Sequence, residues 1–521
     1  MINIKNYSGP FFCALLIAFL LFACNEEDLV QLDPTRLTPE NYFATEAQLE
    51  AAVLSPYAPI RAAATYGRWY SQLTDYADDH HEPTSDAFWS NDIHNGVLSS
   101  TTPFLDVMWD GFFLIIHRAN TALAGIERNT TVDEQTRNAL AGEARFLRGL
   151  AYSDLATIWG GVPLHTTPIT TFADLKARSS REEVFAQAIS DLQFAADNLP
   201  LERSDEFKGR ATRGAALGML GRTYMQIQDL DGARRALEAV LDLGIYSLNE
   251  DWFSTFSEEN DFTPESLFEV VYGDVAGFNF FSTGDVSPAG PRTRTLRTQY
   301  YGPSWRNSYP SGELVNLFER VEDGDPVTDP RLRLTAIFEG DAYNNGMDTL
   351  VASDIKLNGI NGKTTVDFHG QQVLVNWYKY QTYYKERPFG FNHGTTNTVL
   401  MRLADVYLLL AEIEAREGNL DAARSYVDLV RNRVGLPKLE NSRIPNGSQE
   451  EVIAAVIRER SVELAGEQVR WRDIRRWDEA GIIDAEDIFD YWTQTNFLWP
   501  LPNTEIDNNP NISVADQNPG Y

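Results

Sequence analysis

Cysteine is scarce in this sequence, and the scarcity excludes a disulfide-stabilised fold. The chain of 521 residues has two cysteines, Cys13 and Cys24. Cys13 lies in an apolar run, Phe11 to Ala23, that is shorter than the roughly 20 residues a helix needs to cross a bilayer. A basic residue before the run and a small residue at its end are typical of a secretory signal peptide. We therefore expect residues 1–23 to be removed, which leaves Cys24 as the single cysteine.

Cys24 follows Leu21-Phe22-Ala23, a sequence typical of a bacterial lipobox, in which the thiol is lipidated and the chain is cut before it. The alternative is a chance cysteine beside an ordinary cleavage site. We predict that Cys24 carries acyl chains such as palmitate, because two or more chains hold a protein firmly on a membrane. The residues after it lack periodicity, so we interpret residues 24–37 as a lipidated tether.

Basic residues are too few to balance the acidic ones. Lys and Arg number 44 against 75 Asp and Glu, which gives a net charge of −31. This charge repels nucleic acid and anionic lipid, so a nucleic-acid partner is not expected. After the N-terminal run no stretch approaches the roughly 18 unbroken apolar residues of a membrane span, and we expect none in the mature chain.

Signatures of phosphate and calcium binding are incomplete. Residues 362–364 read Gly-Lys-Thr, but Leu357 stands where a phosphate-binding loop needs its first glycine. Asp323, Asp325 and Asp329 suggest calcium, yet this stretch lacks the central glycine and the final glutamate of an EF-hand loop. We expect a turn that holds carboxylates and no cofactor. A calcium site of another type stays open as the alternative.

Histidine is also rare, and no pair of histidines has the H-E-x-x-H spacing of a zinc protease. His80 and His81 adjoin Asp78 and Asp79, but neighbouring side chains in a sequence point in different directions. We therefore interpret residues 78–81 as a solvated loop, with a metal site as the alternative.

The strongest candidate for a pair of catalytic carboxylates lies near the C-terminus. Glu459, Glu463 and Glu467 share one face of a predicted helix, and glycosidases use two carboxylates about 5–10 Å apart. A general acid needs a raised pKa, whereas nearby arginines lower it. Six arginines crowd this stretch: Arg458, Arg460, Arg470, Arg472, Arg475 and Arg476. We predict an ion-pair network that locks this helix, in preference to an active site.

Helical periodicity dominates most of the chain. It predicts helices at 38–64, 104–128, 131–159, 180–199, 211–227, 230–243, 397–417, 420–434 and 448–468, with a short one at 313–321. Capping-box spacing supports helix starts at Thr131, Ser180 and Ser448. The fold class is therefore mainly α.

Two helix pairs resemble tetratricopeptide (TPR) repeats in their spacing of large and small residues. In the first pair, Gly221 and Ala233 permit close approach and residues such as Leu237 fill the groove between the helices. The second pair spans residues 406–435 and departs from the pattern at Glu414, where an aromatic residue is expected. We expect TPR-like pairs to form a scaffold, although the repeats have no steady period.

Between residues 244 and 396 the helical period largely disappears, and Gly, Asn, Asp, Pro and aromatic residues accumulate. We expect loops and short strands packed on the helical scaffold, where binding residues tend to concentrate. The predicted organisation is one domain at 38–521. It comprises scaffold at 38–243 and 397–468, a ligand-binding insertion at 244–396, and a C-terminal segment at 469–521.

Aromatic side chains outside the helical periodicity are candidates for stacking on sugar rings, each contact worth about 0.5–1.5 kcal/mol. Trp89 lies in a polar stretch, and Tyr301 and Trp305 lie among Gly and Pro residues, so we interpret all three as exposed in loops. The full candidate set adds polar neighbours for hydroxyl groups and two further rings: Trp89, Asn91, Asp92, Tyr301, Trp305, Arg306, Tyr343 and Trp377. Core packing is the alternative for each ring.

Several stretches together resemble the SusD/RagB family of outer-membrane nutrient-binding lipoproteins. The segment EARFLRGLAYSDLATIWGGVPL at 143–164 is similar to the signature helix of that family. NYFATEAQLEAAV, MWDGFFLIIHRANTAL, GRATRGAALGMLGRTYM, VLMRLADVYLLLAEIEAREGNLDAARSYVDLVRNRVGLP and RERSVELAGEQVRWRDIRRW follow the family's order, as does the ending FLWPLPNTEIDNNP. The resemblance spans nearly all of the mature chain.

The resemblance implies a fold, a location and a role. It implies a helical body with TPR-like pairs that cradles an irregular ligand-binding half. It implies an anchor at Cys24 in the outer membrane, and the acidic NEED at 25–28 resembles the tag that sends such lipoproteins to the cell surface. Members bind oligosaccharides, or in some cases peptides, and sit over a SusC-like TonB-dependent transporter. Because ligand-contacting residues vary among members, no site residue carries over by motif.

Three functions therefore compete. The leading one is a non-catalytic binding lipoprotein for an oligosaccharide or polysaccharide, with a peptide ligand as its variant. A surface glycoside hydrolase would need a carboxylate pair of raised pKa in a cleft. A TPR scaffold for protein partners alone would leave the aromatic-rich insertion unexplained.

Overall fold

The computed structural model describes residues 42–83, 88–273, 295, 297, 301, 307–351, 365–386, 394–492 and 497–521. Several predictions lie outside these residues. They concern the signal peptide, Cys24 and the tether, and the candidate contacts Trp305 and Arg306. Trp89 belongs to a described helix, but its side chain lies outside the description as well.

Helices and short strands alternate along the chain. The described α-helices are α1 Glu46–Leu54, α2 Tyr57–Ile60, α3 Trp69–Tyr76, α4 Phe88–His94, α5 Leu105–Arg128, α6 Glu134–Trp159, α7 Arg181–Asn198, α8 Arg213–Gln226, α9 Leu230–Asp242, α10 Gly312–Leu317, α11 Arg331–Thr335, α12 Leu403–Arg416, α13 Leu420–Arg433, α14 Gln449–Glu463, α15 Arg470–Glu479 and α16 Asn503–Asn508. The described strands are β1 His81–Pro83, β2 Ser266–Val270, β3 Ser308–Pro310, β4 Ala336–Phe338, β5 Ala342–Tyr343, β6 Asp348–Thr349, β7 Thr365–Phe368, β8 Gln371–Trp377 and β9 Thr398–Arg402. The prediction of a mainly helical fold is confirmed.

The long helices form the scaffold and pack in consecutive pairs. A Cβ added to Gly221 on α8 would lie 2.6 Å from the side chain of Leu237 on α9, so only glycine permits this approach. In the same way, a Cβ on Gly149 of α6 would lie 3.0 Å from the carbonyl of Ala188 on α7. Glu414 of α12, which departs from the TPR pattern, instead pairs with Arg234 of α9 at 3.0 Å. Small residues and ion pairs thus fix how these helices meet.

Three predicted helices have different limits. The 38–64 pattern is divided into α1 and α2, because Pro56 lacks the backbone N–H that would continue α1. The 397–417 pattern begins as strand β9, whose five residues are all buried against β2. The 448–468 pattern ends at Glu463, and Gln468 beyond it has a left-handed backbone with φ of 58°. The predicted capping boxes form at Ser180 and Ser448, but Asp133 caps α6 in place of Thr131.

Among the described residues, strands of the 244–396 region form small antiparallel sheets in the order β4–β8–β7 and β5–β6. Two further pairs connect this region to the scaffold: β1 with β3, and β2 with β9. In the first, His81 faces Pro310 and Pro83 faces Ser308. Backbone hydrogen bonds therefore attach the 244–396 region, which we call the loop-rich half, to the helical scaffold. Within the described residues, no helix is both long enough and apolar enough to cross a membrane.

Candidate ligand-binding face and buried charge clusters

Trp89, Asn91 and Asp92 lie on α4, so the prediction of a polar loop here is wrong. The Nδ1 atom of His94, at the end of α4, lies 3.2 Å from the carbonyl oxygen of Tyr76, which ties this helix to α3. Asn91 and Asp92 are half-buried. This short helix escaped prediction because seven residues are too few to show a helical period.

Tyr301 and Trp377 come together, but inside the protein. Tyr301 is 2% exposed and Trp377 is 1% exposed, so the expectation that Gly and Pro keep Tyr301 at the surface is wrong. The Trp377 ring lies 4.4 Å from the imidazole of His81 and 5.8 Å from the Tyr301 ring. Its Nε1 atom donates to the Ser308 hydroxyl at 3.3 Å. In this structure both rings act as packing groups that support the junction of β1, β3 and β8.

Tyr343 lies apart from that junction. It packs in a small cluster with Leu374, whereas Trp377 packs with Val375 in a different cluster. Because successive side chains of a strand point to opposite faces, Tyr343 and Trp377 contact opposite faces of the sheet that contains β8. The predicted rings therefore do not form one surface.

Tyr343 belongs instead to a continuous row of aromatic side chains, which we call the aromatic row. It consists of Tyr343, Tyr383, Tyr378, Phe253 and Tyr384, with neighbouring centroids 5.7, 5.5, 5.2 and 5.8 Å apart. Tyr383 is buried and the other four are half-buried. The sequence predicted only Tyr343 of this set. The signal that could have revealed the rest is the tyrosine-rich segment NWYKYQTYYK at 376–385.

Polar groups border the aromatic row at both ends. At one end the Tyr384 hydroxyl donates to Glu259 at 2.8 Å and accepts from the Glu258 backbone N–H at 3.0 Å. At the other end the Asn344 side chain donates to Asp348 at 2.6 Å. Aromatic faces with amide and carboxylate neighbours are suited to polar ligands that also have C–H faces, such as sugars.

Glu463 lies at the centre of a buried charge network. Its carboxylate accepts hydrogen bonds from Arg331 at 2.8 Å, Arg402 at 2.6 Å and Arg433 at 2.5 Å. It also accepts one from the indole N–H of Trp252 at 2.9 Å. Burial alone would raise the pKa of Glu463, but Arg433 and the other two arginines hold it well below the usual range. A carboxylate held in this state cannot donate a proton as a general acid does.

Glu459 and Glu467 belong to the same network. Glu459 pairs with Arg331 at 2.6 Å, and Glu467 pairs with Arg402 at 2.7 Å and Lys379 at 2.5 Å. The predicted ion-pair network is confirmed. Because Arg331 and Lys379 come from the loop-rich half, the network also fastens that half to the scaffold.

The partners in this network differ from the predicted ones. The six neighbouring arginines point elsewhere: Arg458 to the Leu317 carbonyl, Arg460 to Asp405 and Asp473, Arg470 to Asp79, Arg472 to Asp154, Arg475 to the Thr157 carbonyl, and Arg476 to Glu412 and Asp473. Tertiary contacts, and not sequence neighbours, neutralise the three glutamates.

The carboxylates proposed for calcium lie in a turn, as predicted, and have protein partners. Asp323 pairs with Arg320 at 2.9 Å, and Asp325 accepts from the Arg320 backbone N–H at 3.0 Å. Asp329 pairs with Arg331 at 2.7 Å. The ion pairs with Arg320 and Arg331 neutralise the charges of Asp323 and Asp329, which a calcium ion would otherwise have to neutralise.

The prediction of a solvated loop at 78–81 is wrong. His80, His81 and Asp78 are 1%, 0% and 2% exposed. They are buried because β1 pairs with β3 and because Trp377 covers His81. Asp75 on α3 completes a buried group of three residues, with Asp78 and His81, whose ligand atoms lie within 4.8 Å of one another.

Glu269 is a buried carboxyl group whose pKa is raised, in contrast to that of Glu463. Burial raises the pKa of Glu269 to about 7, and nearby Asp261 adds to the effect. The group lines a cavity of about 250 Å³ beside Tyr57. Both its oxygens are engaged, one by the Phe262 backbone N–H at 3.0 Å and one by the Asn397 amide at 2.8 Å. This carboxyl group connects the loop before β2 to the start of β9.

The chain thus combines a helical scaffold with a loop-rich half that carries a polar-edged aromatic row. Two family models match the chain: the SusD family at residues 264–521, and a SusD-like family described as starch-binding and associating with the outer membrane at residues 35–225. The chain belongs to the SusD family.

Individual relatives agree in length and fold. SusD-like protein P25 of Formosa agariphila is 24% identical, over 97% of this chain and 99% of that protein. A solved SusD superfamily protein from Bacteroides vulgatus is 23% identical with a TM-score of 0.72, over 91% of this chain and 99% of that one. A laminarin-binding SusD-like protein is 24% identical with a TM-score of 0.69, over 92% and 100% of the two chains.

Proposed function

We propose that this protein is a cell-surface lipoprotein that binds an oligosaccharide or polysaccharide without cleaving it and delivers it to a TonB-dependent outer-membrane transporter. The observation that carries the proposal is the half-buried aromatic row on the loop-rich half, with polar groups at both ends. The family model described as starch-binding and the relative described as laminarin-binding support a glycan as the ligand. A peptide ligand is the alternative.

The ligand-binding surface has two proposed parts. One is the aromatic row, including Tyr343. The other is the predicted platform of Trp89, Asn91 and Asp92 together with Trp305 and Arg306, of which the last two lie outside the described residues. Tyr301 and Trp377 are buried, so we do not propose that they stack on the ligand.

The proposed surface can supply the free energy that weak binding of a glycan needs. Binding in the millimolar to micromolar range needs only about −4 to −8 kcal/mol. Two or three ring contacts of about 0.5–1.5 kcal/mol each, with a few hydrogen bonds, supply that amount. The loss of one ring should therefore weaken binding measurably.

The proposed lack of catalysis rests on the state of the buried carboxylates. Arginines hold Glu463 in its charged form, and Glu269 is engaged on both oxygens. Neither is arranged as a general acid facing a ligand. A surface glycoside hydrolase remains the weaker alternative.

Anchoring and transport are proposed on separate grounds. Cys24 follows a lipobox, and the relatives' family is described as associating with the outer membrane. A protein attached to one leaflet by lipid cannot move a solute across the bilayer, so a SusC-like barrel partner has to do so.

A glycan array that includes starch and laminarin oligosaccharides tests the proposal. The wild-type protein should retain at least one glycan class, and Tyr343→Ala and Tyr378→Ala should each weaken binding of that glycan about tenfold. Tyr407→Ala is the matched control, because Tyr407 is a half-buried scaffold tyrosine that stacks on Tyr426. It should bind as the wild type does.

A second set of variants tests the α4 region. Trp89→Ala and Trp305→Ala should weaken binding with little change in melting temperature. The Tyr343→Ala/Tyr378→Ala and Trp89→Ala/Trp305→Ala double variants remove two rings from each region. If both double variants bind the glycan normally, neither region is the site. If the array and a peptide panel both give no binding, the proposal fails.

A further inference from the structure

Asp75, Asp78 and His81 form a buried polar cluster where α3 leads into β1. Asp75 and His81 are both 0% exposed. The cluster lies behind the junction with β3, and the Trp377 ring covers one face of His81 at 4.4 Å. Polar groups in such a place are normally hydrogen-bonded, because an unpaired one is costly to bury.

Asp78 determines how the His81 ring is oriented. One of its carboxylate oxygens accepts from the backbone N–H groups of His80 and His81 at 2.9 and 3.0 Å. The same oxygen lies 2.9 Å from Nδ1 of His81. Because a carboxylate oxygen accepts, Nδ1 carries the proton of the ring, and Nε2 is left with a lone pair.

The lone pair of His81 Nε2 faces the Asp75 carboxylate. The Nε2 atom lies 3.8 Å from Oδ2 of Asp75, which is too long for a hydrogen bond. Both Asp75 oxygens and the Nε2 atom are buried and make no hydrogen bond of normal geometry within the part of the chain that the structure describes, although the Gln468 side chain lies close to Asp75. Two acceptors thus face each other without a donor between them. A separation of 3.8 Å accommodates a metal ion with bonds of about 2.0–2.2 Å to each atom.

We propose that His81 Nε2 and the Asp75 carboxylate bind a divalent transition-metal ion of the zinc class. Asp78 acts as the positioning residue, in the way that a carboxylate orients a metal-binding histidine. Imidazole together with carboxylate favours zinc and its first-row neighbours over calcium or magnesium. Gln468 lies beside Asp75 and interacts with its carboxylate. The Oε1 atom of Gln468 is buried without a hydrogen-bond partner among the described residues, so it can supply a further ligand.

The charges around the cluster permit the binding of one further cation. The cluster contains two carboxyl groups, Asp75 and Asp78, and Arg297 is a nearby cation that interacts with both Asp75 and His81. Asp79 is neutralised by Arg470 at 2.7 Å. When both carboxyl groups are ionised, the cluster has one negative charge more than Arg297 compensates, and either a metal ion or a proton on Asp75 balances it. The metal explains in addition why Nε2 and Asp75 are held apart.

A measurement of the metal content of the protein decides between a bound metal ion and a proton on Asp75. The full chain is purified in mild detergent, and a chelator removes any bound metal. Zn²⁺ is then added, and inductively coupled plasma mass spectrometry measures the amount of zinc bound per chain. We expect one zinc ion per chain and a higher melting temperature with zinc than without it. Added Co²⁺ should give a visible absorption band that zinc abolishes by competition.

Matched variants locate the site. Asp75→Asn and His81→Gln should weaken zinc binding at least a hundredfold, and Asp78→Asn about 10–100-fold. His94→Gln is the control, because His94 Nδ1 contacts the Tyr76 carbonyl oxygen outside the cluster, and it should bind zinc as the wild type does.

Three results would overturn the proposal. They are a wild-type chain that stays metal-free in excess zinc, the absence of a Co²⁺ band, or an Asp75→Asn variant that retains zinc fully. If a variant fails to fold, the Co²⁺ competition on the wild type still decides. A metal-free wild type whose stability falls with rising pH, in a way that Asp75→Asn abolishes, would identify a shared proton instead.

Discussion

Glu463→Gln should destabilise this protein far more than the same change at a surface glutamate. The Glu463 side chain is fully buried and binds three arginines and an indole N–H. Glutamine has nearly the same shape, but it removes the negative charge and replaces one acceptor oxygen by a donor amide. The arginines would then be buried with part of their charge uncompensated.

The expected magnitude follows from this geometry. Removing one partner of a buried ion pair costs about 3–5 kcal/mol of unfolding free energy, because the other charge stays buried alone. Glu417→Gln is the matched control. Glu417 pairs with Arg234 at 2.6 Å, but the side chains are 32% and 22% exposed. A solvent-exposed pair contributes at most about 1 kcal/mol, so this control should change little.

Urea unfolding of the wild type and both variants, followed by circular dichroism and by tryptophan fluorescence, measures the difference. The pKa of Glu463 is depressed in the folded protein, so its contribution is present above the unfolded pKa and is lost as the pH falls. The gap between wild type and Glu463→Gln should therefore narrow under acid conditions. A Glu463→Gln variant as stable as Glu417→Gln at neutral pH would refute the network as the fastening between the two halves.

Two further predictions concern other residues. Burial raises the pKa of Glu269 to about 7, so its contribution to stability is full below the unfolded pKa and is lost as the pH rises through about 7. Glu269→Gln stays neutral, so it should flatten the dependence of melting temperature on pH between the unfolded pKa of glutamate and about 7. An unchanged pH profile would contradict the raised pKa of Glu269. Cys24→Ala should abolish lipid labelling and release folded protein from membranes that lack the transporter. Retention there would show a second anchor.

The long scaffold helices could be predicted because their signals are local. Apolar spacing and caps such as Ser180 and Ser448 depend on residues within one or two turns. The helix α3, by contrast, is buried on every side although four of its residues are polar, namely Ser71, Gln72, Thr74 and Asp75. Polarity in its sequence therefore does not mark a solvent-facing side. Strand β9 was mistaken for helix because its pairing with β2 depends on residues more than a hundred positions away.

The candidate site was less predictable because burial is a tertiary property. Gly and Pro around Tyr301 correctly indicate irregular backbone, but irregular backbone can still be covered by neighbouring elements. His81 was interpreted as solvated for the same reason: only the pairing with β3 and the cover of Trp377 bury it. The alignment of Tyr378 and Phe253 into one row likewise joins segments far apart in the chain.

The central claim is that the protein binds a glycan and leaves it intact. Its most direct test is to titrate the purified chain with the glycan selected by the array in a calorimeter, and then to analyse the length of the recovered glycan by chromatography. We predict saturable binding in the millimolar to micromolar range and an unchanged chain length after prolonged incubation. Steady release of shorter products, abolished by Glu463→Gln or Glu269→Gln in a variant that is still folded, would contradict the account.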